Sequence, residues 1–123
     1  MTTSIEVTID AVDTGPVASF WEAALGYERL YERDPYIVLG PPPGDARPRL
    51  VIQRVPNVTS AKTPVHIDLR VDDPDAEVAR LQALGASVEW IVDETPSGSI
   101  RWTTMTDPQG TLFCVCPARE GRP

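Results

Sequence analysis

Four side chains carry the chemistry this chain could do: Glu6, Gln53, His66 and Cys114. His66 is the only histidine. An imidazole changes charge near neutral pH and serves as a metal ligand or a general base. It can equally be a hydrogen-bonded histidine within a sheet. Glu6 could bind a divalent ion, move a proton, hold His66 in one tautomer, or stand as a solvated acid on a strand. Gln53 is a weak metal ligand and serves more naturally as donor and acceptor to a bound molecule. Cys114 is by habit a small buried hydrophobe. As a thiolate it becomes a zinc ligand or a nucleophile. The four together could make a four-coordinate site, although glutamine suits poorly the soft metals that prefer thiolate.

An internal repeat brings these residues into relation. IEVTIDAVD (5–13) returns as VHIDLRVDD (65–73), with Ile5 opposite Val65, Val7 opposite Ile67, Ile9 opposite Leu69 and Asp13 opposite Asp73. Leu25-Gly26 finds Leu84-Gly85, and LVIQRVP (50–56) finds LFCVCP (112–117) with Pro56 against Pro117. On this alignment Glu6 corresponds to His66 and Gln53 to Cys114. A duplicated module commonly builds a shared site, so the expectation is one domain over 1–123. Its first module covers about 4–56, its second about 64–117, and PNVTSAKTP (56–64) links them.

The elements follow from periodicity. Residues 4–10 and 65–71 alternate with period 2, which predicts strands with one apolar and one polar face. Pro16 fits the first turn of a helix carrying Val17, Phe20, Trp21, Ala24 and Leu25, with Gly26 closing it. Asp73-Pro74-Asp75 supplies an N-cap, a proline at the first helical position and an acid near the positive end, for a helix through Val78, Leu81 and Leu84. Strands are predicted at 27–33, 36–39, 49–55, 86–92, 100–105 and 111–116. Asp34-Pro35 and Asp107-Pro108-Gln109-Gly110 form turns, and 40–48 and 93–99 form loops. Each half then reads β-α-β-β-β. The predicted fold is α+β: two tandem modules forming one eight-stranded open barrel or cup.

Alternation assigns the faces. Ile5, Val7, Ile9, Val65, Ile67 and Leu69 should pack on the helices, as should Phe113 and Val115. Glu6, Thr8, His66, Asp68, Arg70, Leu112, Cys114 and Cys116 should look into a trough between the modules. Polar and ionisable groups on a concave face predict a ligand site. Arg70 and Arg101 could anchor an anion or form ion pairs with Asp68 or Glu6. Trp102 is expected to wall the pocket, Trp90 to lie between sheet and helix, and Phe20 and Trp21 to join the core.

Composition narrows the function classes. A net charge of −7 argues against nucleic acid, which needs a basic surface. No apolar stretch approaches the roughly 20 residues of a membrane helix. MTTSIEV lacks the basic and apolar regions of a secretory leader. The expectation is a cytoplasmic protein with no membrane partner, in which Cys114 and Cys116 stay reduced. Two thiols without a CxxC pair do not complete a zinc site. There is also no Ser/His/Asp triad, phosphate-binding glycine loop or dinucleotide fingerprint.

VDTGPVASFWEAALGYE (12–28), HIDLRVDDPDAEVARLQALGA (66–86) and TMTDPQGTLFCVCP (104–117) resemble the vicinal oxygen chelate superfamily, the glyoxalase, bleomycin-resistance and dioxygenase group, and within it a glyoxalase-like subgroup. The resemblance implies the paired-module fold and a homodimer. The family's metal enzymes take one ligand from the first and last strand of each module. Carried over by position, those places are Glu6, Gln53, His66 and Cys114, and only His66 has the common type. Where the family's last motif ends in a metal-binding glutamate, this chain has Cys114.

The expected function is binding of a small organic molecule in the trough, with no catalytic metal. His66 and Glu6 are the candidate catalytic groups, and Gln53, Arg70, Trp102, Asp68 and Cys114 the ligand contacts. One alternative is a metal-dependent lyase or isomerase of the glyoxalase type, with zinc, nickel, iron or manganese on His66, Glu6, Gln53 and Cys114. Another is a metal-free acid/base enzyme using His66.

Overall fold

The computed structural model describes residues 3–56, 64–93 and 101–119. The linker therefore lies mostly outside the described residues, as does the loop placed at 93–99 apart from Asp93. In chain order the elements are β1 (Ser4–Ala11), α1 (Thr14–Leu25), β2 (Glu28–Arg33), β3 (Tyr36–Gly40), β4 (Arg49–Arg54), β5 (Val65–Val71), α2 (Pro74–Ala83), β6 (Ser87–Asp93), β7 (Arg101–Thr106) and β8 (Leu112–Pro117). The fold is α+β, two βαβββ modules with eight strands and two helices among the described residues, as the periodicity predicts. No helix among the described residues is long and apolar enough to cross a membrane. The chain divides into two compact units, residues 6–66 and residues 1–5 with 67–123. The division crosses the continuous strand β5 between His66 and Ile67, so His66 keeps its place relative to its own strand.

In the first module the strands run in the order β2-β3-β4-β1. β1 pairs with β4 in parallel and the other neighbours are antiparallel. One face carries the core: Ala11, Ala18, Tyr27, Ile37, Leu39, Leu50 and Ile52 are buried, with Val7, Ile9, Val17, Trp21 and Leu25 packed against them. The α1 sequence ends at Gly26, whose φ of 69° is a left-handed conformation that glycine adopts without a Cβ clash. Tyr27 follows, its hydroxyl donating to the Pro48 carbonyl at 2.6 Å. Phe20 departs from expectation: it is 62 % exposed and stands T-shaped to Trp21, with ring centroids 5.1 Å apart. The two rings are neighbours in sequence, about 100° apart around the helix, and Trp21 is the one turned to the core.

The second module repeats the topology as β5-β8-β7-β6, with β5 and β8 parallel. Its core is smaller: Val71, Met105 and Val115, with Val78, Leu81, Ala86 and Phe113 around them. Asp73 caps α2, accepting from the Ala76 N–H at 3.1 Å. Asp73→Ala is expected to cost about 1 kcal/mol, readable as a lower urea midpoint with an unchanged slope. Asp107 organises the β7–β8 turn, its Oδ1 accepting from the N–H groups of Gln109 and Thr111 at 2.9 Å each.

The apolar ladders pack only in part. Val7 and Ile9 reach the first core, but Ile5, Val65 and Ile67 are 51 %, 53 % and 47 % exposed. They lie toward the N-terminal ends of β1 and β5, outside both core clusters.

Two carboxyls give the fold an acid sensitivity. Hydrogen bonds from Arg80, at 2.7 and 2.9 Å, hold Glu77 below the usual carboxylate range. Backbone N–H donors, Thr111 first, do the same for Asp107. Lowered folded values mean that the unfolded chain binds these protons more tightly. The stabilisation is complete above the unfolded value near about 4 and is lost as pH falls through the lower folded values. Urea midpoints should therefore decline below about pH 4, and Glu77→Gln should flatten that decline. An unchanged decline in the variant would remove Glu77 from the account.

Candidate functional site

Side chains on β5 alternate, so His66, Asp68 and Arg70 share the face opposite the core. In the β5–β8 ladder Asp68 pairs with Cys114 and Arg70 with Cys116. In the β7–β8 ladder Thr104 pairs with Cys114. Phe113 and Val115 go to the helix side, as predicted. Ligand atoms of His66, Asp68 and Cys114 lie within 4.8 Å of one another. The three residues are 5 %, 7 % and 2 % exposed. Thr104, fully buried, has its hydroxyl 3.6 Å from the Cys114 sulfur.

The same face carries two tryptophans. Trp102 stands two residues before Thr104 on β7 and pairs with Val92; its buried indole N–H has no hydrogen-bond partner among the described residues. Trp90, expected between sheet and helix, pairs instead with Thr104 and is 39 % exposed. A register shift between Val88 and Trp90 turns it over, since one extra residue reverses the side to which a strand residue points. Arg70 donates to the Pro117 carbonyl at 3.2 Å. Arg101 pairs with Asp75 of α2 at 3.6 Å, rather than with Asp68 or Glu6, because its position in β7 places it on the helix side.

In the first module Glu6, Thr8 and Asp10 share the face opposite the core and are 1 %, 2 % and 7 % exposed. Here the ladder corrects the repeat alignment. Thr8 pairs with Val51 and Asp10 with Gln53, while their counterparts Asp68 and Arg70 pair with Cys114 and Cys116. The counterpart of Cys114 is therefore Val51, and that of Cys116 is Gln53. Of the predicted residues, the structure brings together His66, Asp68 and Cys114, with Trp102 and Arg70 on their face. Glu6 and Gln53 stand on β1 and β4, Gln53 half-buried. Thr104, Asp10 and Trp90 were not anticipated. The threonine and aspartate had a signal, since each alternates in phase with a chosen residue. A cavity of about 320 Å³ opens on the other side of the first sheet, among Val7, Ile9, Trp21 and Leu25, and none of the predicted site residues lines it.

The sequence pattern of the glyoxalase-like domain matches residues 6–116. This chain belongs to that family. Solved structures share the fold of this glyoxalase-like chain. A glyoxalase/bleomycin resistance protein/dioxygenase superfamily member from Vibrio splendidus superposes with a TM-score of 0.64 at 19 % identity, covering 94 % of this chain and 99 % of its own. Methylmalonyl-CoA epimerase from Mycobacterium tuberculosis gives 0.66 at 20 %, covering 93 % and 86 %. The epimerase of Streptomyces coelicolor, in complex with 2-nitronate-propionyl-CoA, gives 0.66 at 22 %, covering 96 % and 98 %. At these identities the likeness is one of fold. No curated protein matches the chain.

The donor set of this glyoxalase-like domain differs from the four places the family uses for metal. The first module offers Glu6 on β1, but the β4 place opposite Cys114 in the repeat is the aliphatic Val51. Imidazole, carboxylate and thiol on β5 and β8 do fit a zinc-type ion, which takes nitrogen, oxygen and sulfur together.

Proposed function

We propose that this glyoxalase-like protein binds a small organic molecule carrying a carbonyl or carboxylate oxygen, against the polar face of β5, β8 and β7. The observation that carries this reading is the Trp102 indole N–H, buried and without a partner among the described residues. A buried indole N–H ordinarily finds an acceptor, and a ligand oxygen would supply one. His66 is the proton-transfer group, its imidazole offering one donor and one acceptor nitrogen. Asp68 orients it, Arg70 supplies positive charge for an anionic ligand, and Trp102 with Trp90 gives an aromatic wall. Glu6, the counterpart of His66 in the repeat, is proposed as a second proton-transfer group. The protein acts in the cytoplasm as a homodimer, a reading supported by the exposed Ile5 and Ile67, which association would cover.

A second reading, a metal-dependent lyase or isomerase, is favoured by the grouping of His66, Asp68 and Cys114. A metal there would polarise a carbonyl as a Lewis acid. The solved epimerase neighbours, one holding a coenzyme A thioester analogue, make acyl thioesters a sensible class to include in a screen.

The test is a thermal-shift screen of small carbonyl, carboxylate and thioester compounds on the wild-type chain and on Trp102→Phe. The variant keeps a ring and loses the N–H. It is expected to melt no lower than wild type, because an unsatisfied donor is gone, and to bind hits about 2- to 10-fold more weakly, the worth of one hydrogen bond. Hits unaffected by both Trp102→Phe and His66→Ala would place the ligand elsewhere.

A further inference from the structure

We infer that the cavity on the helix side of the first sheet is a binding site for a small, uncharged, apolar molecule of the terpene or fused-ring arene class. The described residues that line it all fall within the compact unit 6–66. A dry apolar cavity of about 150 Å³ takes up one benzene, so the 320 Å³ found here suits a guest of roughly eight to twelve carbons. Folded interiors pack like organic crystals and keep few voids larger than one water. Space of this size among Val7, Ile9, Trp21, Leu25 and Leu50 is room that the first core leaves open.

The walls are fastened against collapse. Tyr27 lines the cavity, and its hydroxyl donates to the Pro48 carbonyl at 2.6 Å. Arg47 donates to the Leu25 carbonyl at 3.0 Å, pairs with the Asp45 carboxylate at 2.7 Å and stands 4.9 Å over the Tyr27 ring. The end of α1 and the loop before β4 are therefore tied at a fixed separation. A hydrogen-bonded frame around an apolar hollow is organised before the guest arrives, which lowers the cost of binding.

The lining chooses the guest. The strands beneath it spend their backbone groups in the ladders, and Tyr27 spends its hydroxyl on Pro48. Arg49 alternates with Leu50, so its guanidinium belongs to the opposite face, that of Val51. A charged guest would lose its hydration and gain no partner, whereas a hydrocarbon is drawn in by the apolar area it removes from water. Nine described residues line the cavity, while a stable protein interface uses about 20–30 on each side, so the space fits a small molecule and not another chain. The site lies on the other side of the sheet from the polar face and needs nothing from the ligand proposed there.

The test is titration of the full-length chain with 1-fluoronaphthalene, followed by fluorine NMR, with 4-fluoro-1-naphthoate as the charged counterpart. Wild type is expected to bind one fluoronaphthalene and to melt higher with it. The naphthoate should bind at least about 10-fold more weakly, since its carboxylate finds no partner. Val7→Phe places a ring in the cavity and should abolish binding while melting no lower than wild type. If that variant does not fold, Val65→Trp takes its place. Val65 lines the cavity and is 53 % exposed, so a larger side chain there is tolerated, and it should weaken binding at least about 10-fold. Trp102→Phe, on the other module, should leave binding unchanged. Fluoronaphthalene binding that survives a folded Val7→Phe, or Val65→Trp in its place, overturns the site, as does binding lost in Trp102→Phe. Equal binding of the two probes overturns the uncharged guest. No bound signal in wild type overturns the inference outright, and a dimer that Val65→Trp then turns into a monomer in sedimentation would show that a second copy covers the cavity.

Discussion

Val51→Glu is expected to destabilise the protein by about 4–7 kcal/mol at neutral pH. Val51 is 3 % exposed and packs on the face opposite the helix. A carboxyl there loses its hydration, and burial raises the folded pKa by about 3–5 units where no cation compensates. Each unit is worth about 1.4 kcal/mol. The sign of the pH dependence follows. With the folded value raised, the folded chain holds the proton more tightly, so the variant is least destabilised below the unfolded value near about 4 and worsens as pH rises above it. That is opposite to the contributions of Glu77 and Asp107. Gln53→Glu, two residues along on the same face but half-buried, should cost less than about 1 kcal/mol, as most accessible substitutions do. Urea denaturation of both variants at about pH 4 and pH 7 checks this. Equal effects would contradict the register that makes Val51 the counterpart of Cys114.

Met105→Ala should cost about 2–5 kcal/mol. Met105 is fully buried, paired with Phe113 on β8 and Val88 on β6, and is one of three buried residues in the second core. A domain of this length has about 6–18 kcal/mol in all, so the loss is a large share. The core of the second module is the smaller, with fewer side chains placed to close over the void. Ile52→Ala in the first module is the comparison. If Met105→Ala leaves the urea midpoint within error of wild type, the second core is not what holds β6, β7 and β8 together.

Much of the fold is legible in the sequence because a strand's phase and a helix's ends are local properties. Alternation separated Glu6 and Thr8 from Val7 and Ile9, and His66 and Asp68 from Leu69. Asp73-Pro74 and Gly26 marked helix ends at the residues where the chain turns. The site was less legible, for two physical reasons. A period of 2 cannot detect a slip of two residues, so Gln53 could be set against Cys114 without disturbing any apolar position. Only cross-strand pairing shows that Val51 belongs there. A β-bulge reverses phase, and the shift between Val88 and Trp90 carried Trp90 to the polar face with nothing in the local pattern to announce it. Phe20 was misplaced for a third reason: two adjacent aromatics on a helix cannot both face one sheet, and the sequence does not say which gives way.

The position of β8 has a consequence for synthesis. It is the last of the described strands in chain order, yet it sits inside its half-sheet, between β5 and β7. While the nascent chain is still short of residue 112, β5 and β7 both lack their shared neighbour, and Val115 is missing from the core they will close over. Parallel, non-local pairing of this kind is slow to form, so the second module cannot mature until residues 112–117 have been made. A messenger truncated by a few codons before Leu112 would encode the whole first module and most of the second. It would nevertheless yield a product with two unpaired strand edges, a hollow second core and no sulfur at the site.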